Sequence, residues 1–514
     1  FFFLLVKTGI AQQGTLDLSF NTTGAFQAQF YADNYHNVNK VLVQPDGKII
    51  ATGFSEFGGG RYSTTFRLKD DGTLDTQFAT GGYSTVGAAS SVDSRMNAMV
   101  LQPDGKIIVG GRAWQFTDDE FAMMRYNSNG TFDTTFGIGG GVTTDLSSVS
   151  FQGSDEINCL LLQPDGKIIA GGGRRTGAAA GEMVVVRYHA NGTVDSTFGT
   201  NGMVTFPAAG GVDNIYASAL QADGKILLTG TCQTSANIFF GRTIRINSNG
   251  SIDNGFGNNG MFDVASGGSS WVEMYGMALQ PDGKIVLGAN TNASANNDLF
   301  CVRLDTSGMP DMSFGNAGFA YSNSAVSALG YITQCIVIQP DGKILFGGLT
   351  GASNSLLVFR FNNNGTPDAS YGTNGLVNLN AGIFKISISS LALQTDGNLI
   401  GGGGSQPLFT TNGSDLAVFR MHNTVGAAGV TENFNSEISI YPNPVDKLLT
   451  IRFLVNDEAN YAATILDLAG KKVSDSYINN FQQTIDVSKL QNGIYFVQMK
   501  SKDKSMTQKI IVQH

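Results

Sequence analysis

Histidine, tryptophan, cysteine and proline are all scarce in this 514-residue chain, at 4, 2, 4 and 11 residues. His36, His189, His422 and His514 fall in unrelated surroundings, so no Ser-His-Asp or Cys-His arrangement is suggested. Cys232 and Cys301 show no CxxC spacing, and no zinc site is expected. P-loop, zincin and EF-hand patterns are also missing. So little proline excludes collagen and Pro-rich architectures. Charged residues are only 14% of the chain, with 32 Lys+Arg against 41 Asp+Glu for a net −9. A chain short of basic residues lacks the surface that releases counterions from nucleic acid, so no such partner is expected. No apolar run is long enough to span a bilayer.

What is present is glycine, 66 residues, about 13% against a usual 7%. Hydrophobic residues at 42% supply ample core, so disorder is excluded. The chain opens on the apolar run Phe1 to Val6, with the small residues Gly9 and Ala11 where a signal peptidase reads. Residues 1–11 read as the back half of a secretory signal peptide whose basic start is missing, with maturation near Gln12. Export permits disulfides. Cys159 and Cys335, however, occupy a repeat position that elsewhere holds Ala98, Ala217, Gly276 and Ser390, so they read as small core thiols.

Internal repetition dominates the chain. The string Gln44-Pro45-Asp46-Gly47-Lys48-Ile49 recurs with substitutions from Gln102, Gln163, Gln221, Gln280, Gln339 and Gln394, at intervals of 58, 61, 58, 59, 59 and 55. Pro presets the first turn position, Asp suits the second and Gly takes the left-handed one, which makes each copy a β-hairpin. Its flanks, such as Val41-Leu42-Val43 and Ile49-Ile50-Ala51, are continuously apolar, so these strands are covered on both faces. A second motif follows. Arg187, Gly192, Asp195 and Phe198 exemplify an Arg, a Gly five later, an Asp three after that and an aromatic three further on. Its Asp reads as a turn cap or as the partner of the Arg, not as a ligand.

The ends of the array decide its shape. The seventh copy breaks off after Val418-Phe419-Arg420, and the missing half stands at the start as Gly14-Thr15-Leu16-Asp17-Leu18-Ser19-Phe20. A closed ring explains this, because an N-terminal strand then completes the last blade and hides its edge. The expected fold is all-β: a seven-bladed β-propeller of four-stranded blades over 12–425, closed by residues near 14 to 30 pairing with those near 386 to 422. A right-handed β-solenoid is the alternative. The QPDGKI turn and GTxDxxFG segment resemble the delta-60 repeat family, over roughly residues 14 to 422. The resemblance supports the architecture and implies little about activity.

After a linker at 426–436 the composition changes, and short alternating strands separated by Asn, Gly, Asp and Pro turns over 437–514 predict a small Ig-like β-sandwich. The YPNPV, DLAGKKV, LQNGIYFVQ and KIIVQ segments, with Tyr441, Pro442, Asn443, Pro444, Gly470, Gly493, Tyr495 and Lys509, closely resemble the type A C-terminal sorting domain of the type IX (Por) secretion system of Bacteroidetes. The resemblance implies carriage across the outer membrane and removal of this domain by a sortase-like protease. It also implies release or attachment to surface lipopolysaccharide.

Two constellations stand out from the repeat background. Asp93, Asp155, Glu156, Asp213 and Glu273 lie seven to nine residues before the repeat's Gln, on crossings to the innermost strand. They are expected to ring one mouth of the central channel, where carboxylates concentrate cations and could hold Ca²⁺. No other cofactor is expected. Trp114 and Phe116, beside Asp118-Asp119-Glu120, and Arg174-Arg175 are assigned to variable loops, as platforms for sugar or peptide. The resulting expectation is a secreted or cell-surface, non-catalytic binding protein for an extracellular glycan or protein. A propeller-type glycan hydrolase or lyase using the channel-mouth carboxylates is the competing reading.

Overall fold

The computed structural model describes residues 13–30, 35–87, 93–115, 118–146, 155–177, 180–206, 209–264, 271–291, 298–322, 331–350, 356–379, 384–407, 414–423, 438–441, 445–453, 461–467, 471–478, 482–500 and 505–512. The proposed signal peptide and linker lie outside these residues. One compact unit spans Gln13–Asn423, and the C-terminal strands belong to a second.

The first unit is built of seven antiparallel sheets. After β1 (Ala25–Ala28), the first blade is β2 (His36–Val43), β3 (Ile49–Phe57), β4 (Gly60–Leu68) and β5 (Tyr83–Val86), paired in that order. The second is β6 (Ser94–Leu101), β7 (Ile107–Gln115), β8 (Asp118–Tyr126) and β9 (Gly141–Thr144). The third is β10 (Glu156–Leu162), β11 (Ile168–Gly177), β12 (Ala180–Tyr188) and β13 (Met203–Thr205). Blade four comprises β14 (Asn214–Leu220), β15 (Ile226–Gln233), β16 (Phe239–Ile246) and β17 (Met261–Val264). Blade five comprises β18 (Val272–Leu279), β19 (Ile285–Thr291), β20 (Asp298–Leu304) and β21 (Phe319–Tyr321). Blade six comprises β22 (Tyr331–Ile338), β23 (Ile344–Thr350), β24 (Leu356–Phe361) and β25 (Leu376–Leu379). In the seventh the inner strand is divided into β26 (Phe384–Ile386) and β27 (Ser390–Leu393), both pairing with β28 (Leu399–Pro407), followed by β29 (Asp415–Met421). Its outer strand is β1, in register Ala25 to Phe419 through Ala28 to Leu416. The first strand of each blade touches that of the next, from β2 through β22 to β27, and β27 touches β2 again, so the ring is closed.

The core lies between neighbouring sheets. One cluster joins Ile108 and Met123 of the second blade to Ile168 and Val184 of the third, and another joins Ile49 and Phe66 of the first to Ile400 and Val418 of the seventh. Strands apolar on both faces follow from this packing.

Each repeat's Arg is a clasp between blades. Arg187 Nε donates to Asp195 Oδ2 at 2.8 Å, its Nη1 to the Ser248 carbonyl of the next blade at 2.5 Å, and its guanidinium lies 4.5 Å from the Phe198 ring centre. Asp195 Oδ1 meanwhile accepts from the Thr197 amide and hydroxyl. The Asp is therefore both cap and ion-pair partner. Arg67, Arg125, Arg245, Arg303 and Arg360 repeat the device on Ser128, Ala190, Thr306, Asn363 and Asn423. The seventh clasp crosses the closure. Arg420 pairs with Asp17 at 2.7 Å, lies over Phe20 and donates to the Asp70 carbonyl of the first blade.

In the second unit, one sheet orders β30 (Ile438–Tyr441), β31 (Leu448–Phe453) and β34 (Gln482–Asp486), and the other orders β33 (Lys472–Ile478), β32 (Tyr461–Leu466), β35 (Gly493–Lys500) and β36 (Ser505–Val512). Leu449, Ile451, Ile465, Val497 and Ile510 are among its buried core. Tyr441 pairs with Thr450, Gly493 with Val512, Tyr495 with Ile510 and Lys509 with Phe496. Pro442, Asn443, Pro444 and Gly470 lie outside the described residues. Among the described residues no helix is long and apolar enough to cross a membrane.

Candidate functional site: the central channel

The inner strand of every blade from one to six carries a β-bulge five residues before the repeat's Gln, where its register against the second strand slips by one. A bulge leaves one residue unpaired and turns it out of the ladder. Those residues are Asn39, Asn97, Asn158, Tyr216, Tyr275 and Gln334, and with Ser389 of blade seven they all line one central cavity of about 390 Å³.

The bulge also explains a glycine pattern that the sequence alone assigns to turns. Gly53, Gly111, Gly172, Gly230 and Gly403 sit inside the second strands, opposite the bulge. A Cβ there would stand 1.7 to 1.9 Å from the carbonyl oxygen of Asn37, Arg95, Glu156, Asn214 or Ser387. Close backbone approach, and not left-handed conformation, favours glycine at these positions, although blade five places Ala289 at the equivalent one.

The lining residues hydrogen bond around the channel. Asn37 Nδ2 donates to Asn39 Oδ1 at 2.6 Å and to Ser389 Oγ at 3.3 Å. Asn39 Nδ2 donates to Asn97 Oδ1 at 3.0 Å, Asn97 Nδ2 to Glu156 Oε1 at 2.7 Å, and Asn158 Nδ2 to the Ile215 carbonyl at 3.0 Å. The Tyr216 and Tyr275 rings meet with centres 4.8 Å apart, and the Tyr275 hydroxyl donates to Glu273 Oε2 at 2.8 Å.

The five predicted carboxylates divide into two groups. Glu156 and Glu273 stand two residues ahead of the ring and bond to it. Asp155 and Asp213, each 1% exposed, are buried. Asp155 Oδ1 accepts from the Arg175 amide, and Asp213 accepts from the Gln233 and Ala209 amides, so both pin the crossing segment to the adjacent hairpin. Asp93 contributes its carbonyl to the Trp114 amide. Of the expected acidic ring, Glu156 and Glu273 have side chains that bond to the bulge residues. Among the described residues no three His, Cys, Asp or Glu side chains group closely enough to hold a metal ion. Burial pushes the Asp155 carboxyl up to about 7, with repulsion from Asp118 and Asp145. Asp119 is pushed up to about 6 by burial, against the pull of its ion-pair partner Arg112.

The loop assignments are also corrected. Trp114 lies in β7, paired with Asp119 of β8, and Arg174 and Arg175 lie in β11. Arg174 is held by Glu182 at 2.5 Å. These hairpin arms continue well past the apolar stretches that mark the strands in sequence. Phe116 lies outside the described residues. All four cysteines are free. Cys159 and Cys335 form part of the channel wall, where burial pushes their thiols up to about 11 and about 12. The amide and tyrosine ring escapes a search for charged or nucleophilic residues. Aligning the repeats on their Gln exposes it, as polar or tyrosine residues within an otherwise apolar strand.

Fold and channel define a repeat propeller with a polar pore. The family described as "Domain of unknown function (DUF5122) beta-propeller" matches residues 44–78, 102–136, 163–198, 221–256, 280–314 and 339–371. The "Secretion system C-terminal sorting domain" matches 439–513. The chain thus carries six repeats of the DUF5122 β-propeller type and a C-terminal type IX sorting domain. That domain marks it for export by the type IX machinery, to the cell surface or beyond. No curated protein matches the chain. Among solved structures it is similar to a protein of unknown function from Dyadobacter fermentans (10% identity, 78% of this chain and 99% of that one, TM-score 0.41). It is also similar to Sqt1 from Chaetomium thermophilum (12%, 76% and 97%, 0.40) and to a PL25 ulvan lyase (11%, 84% and 94%, 0.35).

Proposed function

We propose that the propeller is a non-catalytic, extracellular glycan-binding module whose ligand enters the central channel. The observation that supports this reading is the bulge ring. Asn39, Asn97, Asn158, Gln334 and Ser389 offer amide and hydroxyl groups, and Tyr216 and Tyr275 offer adjoining ring faces. Hydroxyl-rich ligands need both donors and acceptors, which primary amides carry together, and sugar rings pack on aromatic faces. A cavity of about 390 Å³ falls in the range of small-molecule pockets, roughly 300 to 1,000 Å³, and admits a chain end but not a folded surface.

A hydrolase or lyase would need a poised acid and base. Asp155 and Asp213 instead receive backbone amides, and Asp119 pairs with Arg112. The test is binding of the full-length chain to a glycan array, with cleavage followed in parallel. Asn158→Ala and Tyr216→Ala should each weaken binding about tenfold, some 1.4 kcal/mol, while Trp114→Ala leaves it unchanged. Capture of a protein but no glycan, or binding indifferent to both channel variants, overturns the reading.

A further inference from the structure

One residue of the channel breaks its pattern. The position following the bulge holds Ala98, Cys159, Ala217, Gly276 and Cys335 on the cavity wall, all small, and the seventh copy, Ser390, is buried and accepts from the Val41 amide. In the first blade the same position is Lys40, which also lines the cavity. A long cationic side chain therefore enters a lumen that its six counterparts leave open. Its charge favours the thiolate of both Cys159 and Cys335, in blades three and six, against the larger effect of burial. Among the described residues that line the cavity there is no carboxylate. Glu156 and Glu273 stand ahead of the ring, engaged by Asn97 and by the Tyr275 hydroxyl.

We infer that Lys40 is an anion-binding residue and that the channel's ligand is an acidic sugar, presenting one carboxylate or sulfate group to its ammonium. This rests on the glycan reading above and adds the ligand's charge. An ammonium supplies three donors and no acceptor, the complement of an oxyanion. Enclosed by low-dielectric walls, a single charge acts more strongly than it would on the surface. The two glutamates ahead of the ring repel dense polyanions, so the site favours an isolated acidic group at a chain end.

The test compares galacturonate with galactose oligosaccharides of equal length, and with a 6-sulfated galactose oligosaccharide, by calorimetry on the full-length chain and on Lys40→Met, which keeps the side chain's bulk. In the wild type the uronate or the sulfate ester should bind about tenfold or more tighter than the neutral oligomer, and addition of salt should narrow the gap. Lys40→Met should abolish the preference while leaving neutral binding and thermal stability unchanged; the two acidic arms show which group the site takes. Equal wild-type affinity for acidic and neutral oligomers, or a preference that survives in Lys40→Met, overturns the inference and leaves the glycan reading standing. Absence of binding to any of them overturns both.

Discussion

Two rings run through this propeller, and they behave oppositely under repetition. The outer ring of arginine clasps is the same in all seven copies: Arg, Asp and an aromatic, with guanidinium-to-ring distances between 4.1 and 5.0 Å. The inner ring of bulge residues keeps its backbone geometry but changes its side chain, from Asn to Tyr to Gln to Ser. What is constant from copy to copy holds the blades together. What varies on a constant frame gives the channel its chemical character, and this is the part that a ligand can read.

The comparison can be broken first at the clasps. Arg187→Met leaves Asp195 buried without its partner and should cost about 3–5 kcal/mol in urea unfolding. Asp17→Ala should cost as much through Arg420, although the two residues are 403 positions apart. The clasps should also fail in acid. The Thr197 hydroxyl and Arg187 hold the Asp195 carboxyl down at about 2, so its contribution is complete above the unfolded value near 4 and disappears as pH falls through 2. Next comes Gly172→Ala, whose Cβ would meet the Glu156 carbonyl at 1.8 Å. A loss of about 3 kcal/mol is expected, together with a disturbed channel, measurable as lost ligand binding.

A smaller effect of opposite sign is expected at the crossings. With its carboxyl raised to about 7, Asp155 favours the folded state in acid, and that advantage falls away as pH rises through 7. Asp155→Asn should therefore add about 1–2 kcal/mol at pH 8 and nothing at pH 4, read as a melting-temperature difference. Smallest is Asn97→Ala in the inner ring, at about 1 kcal/mol, because its bonds are partly solvated. If it proves as damaging as Arg187→Met, the division between a holding ring and a reading ring is wrong.

The outer ring was legible in the sequence because its residues recur at fixed offsets, and the half-motif Gly14 to Phe20 already announced the closure. The inner ring was less so, because a bulge leaves no composition of its own and the ring emerges only as polar or tyrosine positions once the repeats are aligned on their Gln. The glycine excess was visible, but the cause of Gly53, Gly111 and Gly172 lay in the opposite strand. Asp155 and Asp213 show the converse. Acidic residues near a pore suggested a cation site, whereas folding aimed them at backbone amides that no sequence pattern marks.

The separations spanned by the clasps bear on assembly order. Arg187 reaches a carbonyl 61 residues ahead, and Arg67, Arg125, Arg245, Arg303 and Arg360 reach 60 to 65, so each of these can form as soon as the following blade is available. The Asp17–Arg420 pair must instead close a loop of 403 residues. Loop-closure entropy makes that about 1.7 kcal/mol costlier than a 61-residue closure. Folding should thus run as six cheap, local steps followed by one slow long-range one, and an incomplete arc of blades, with the β29 edge still open, is the species exposed to aggregation in the meantime.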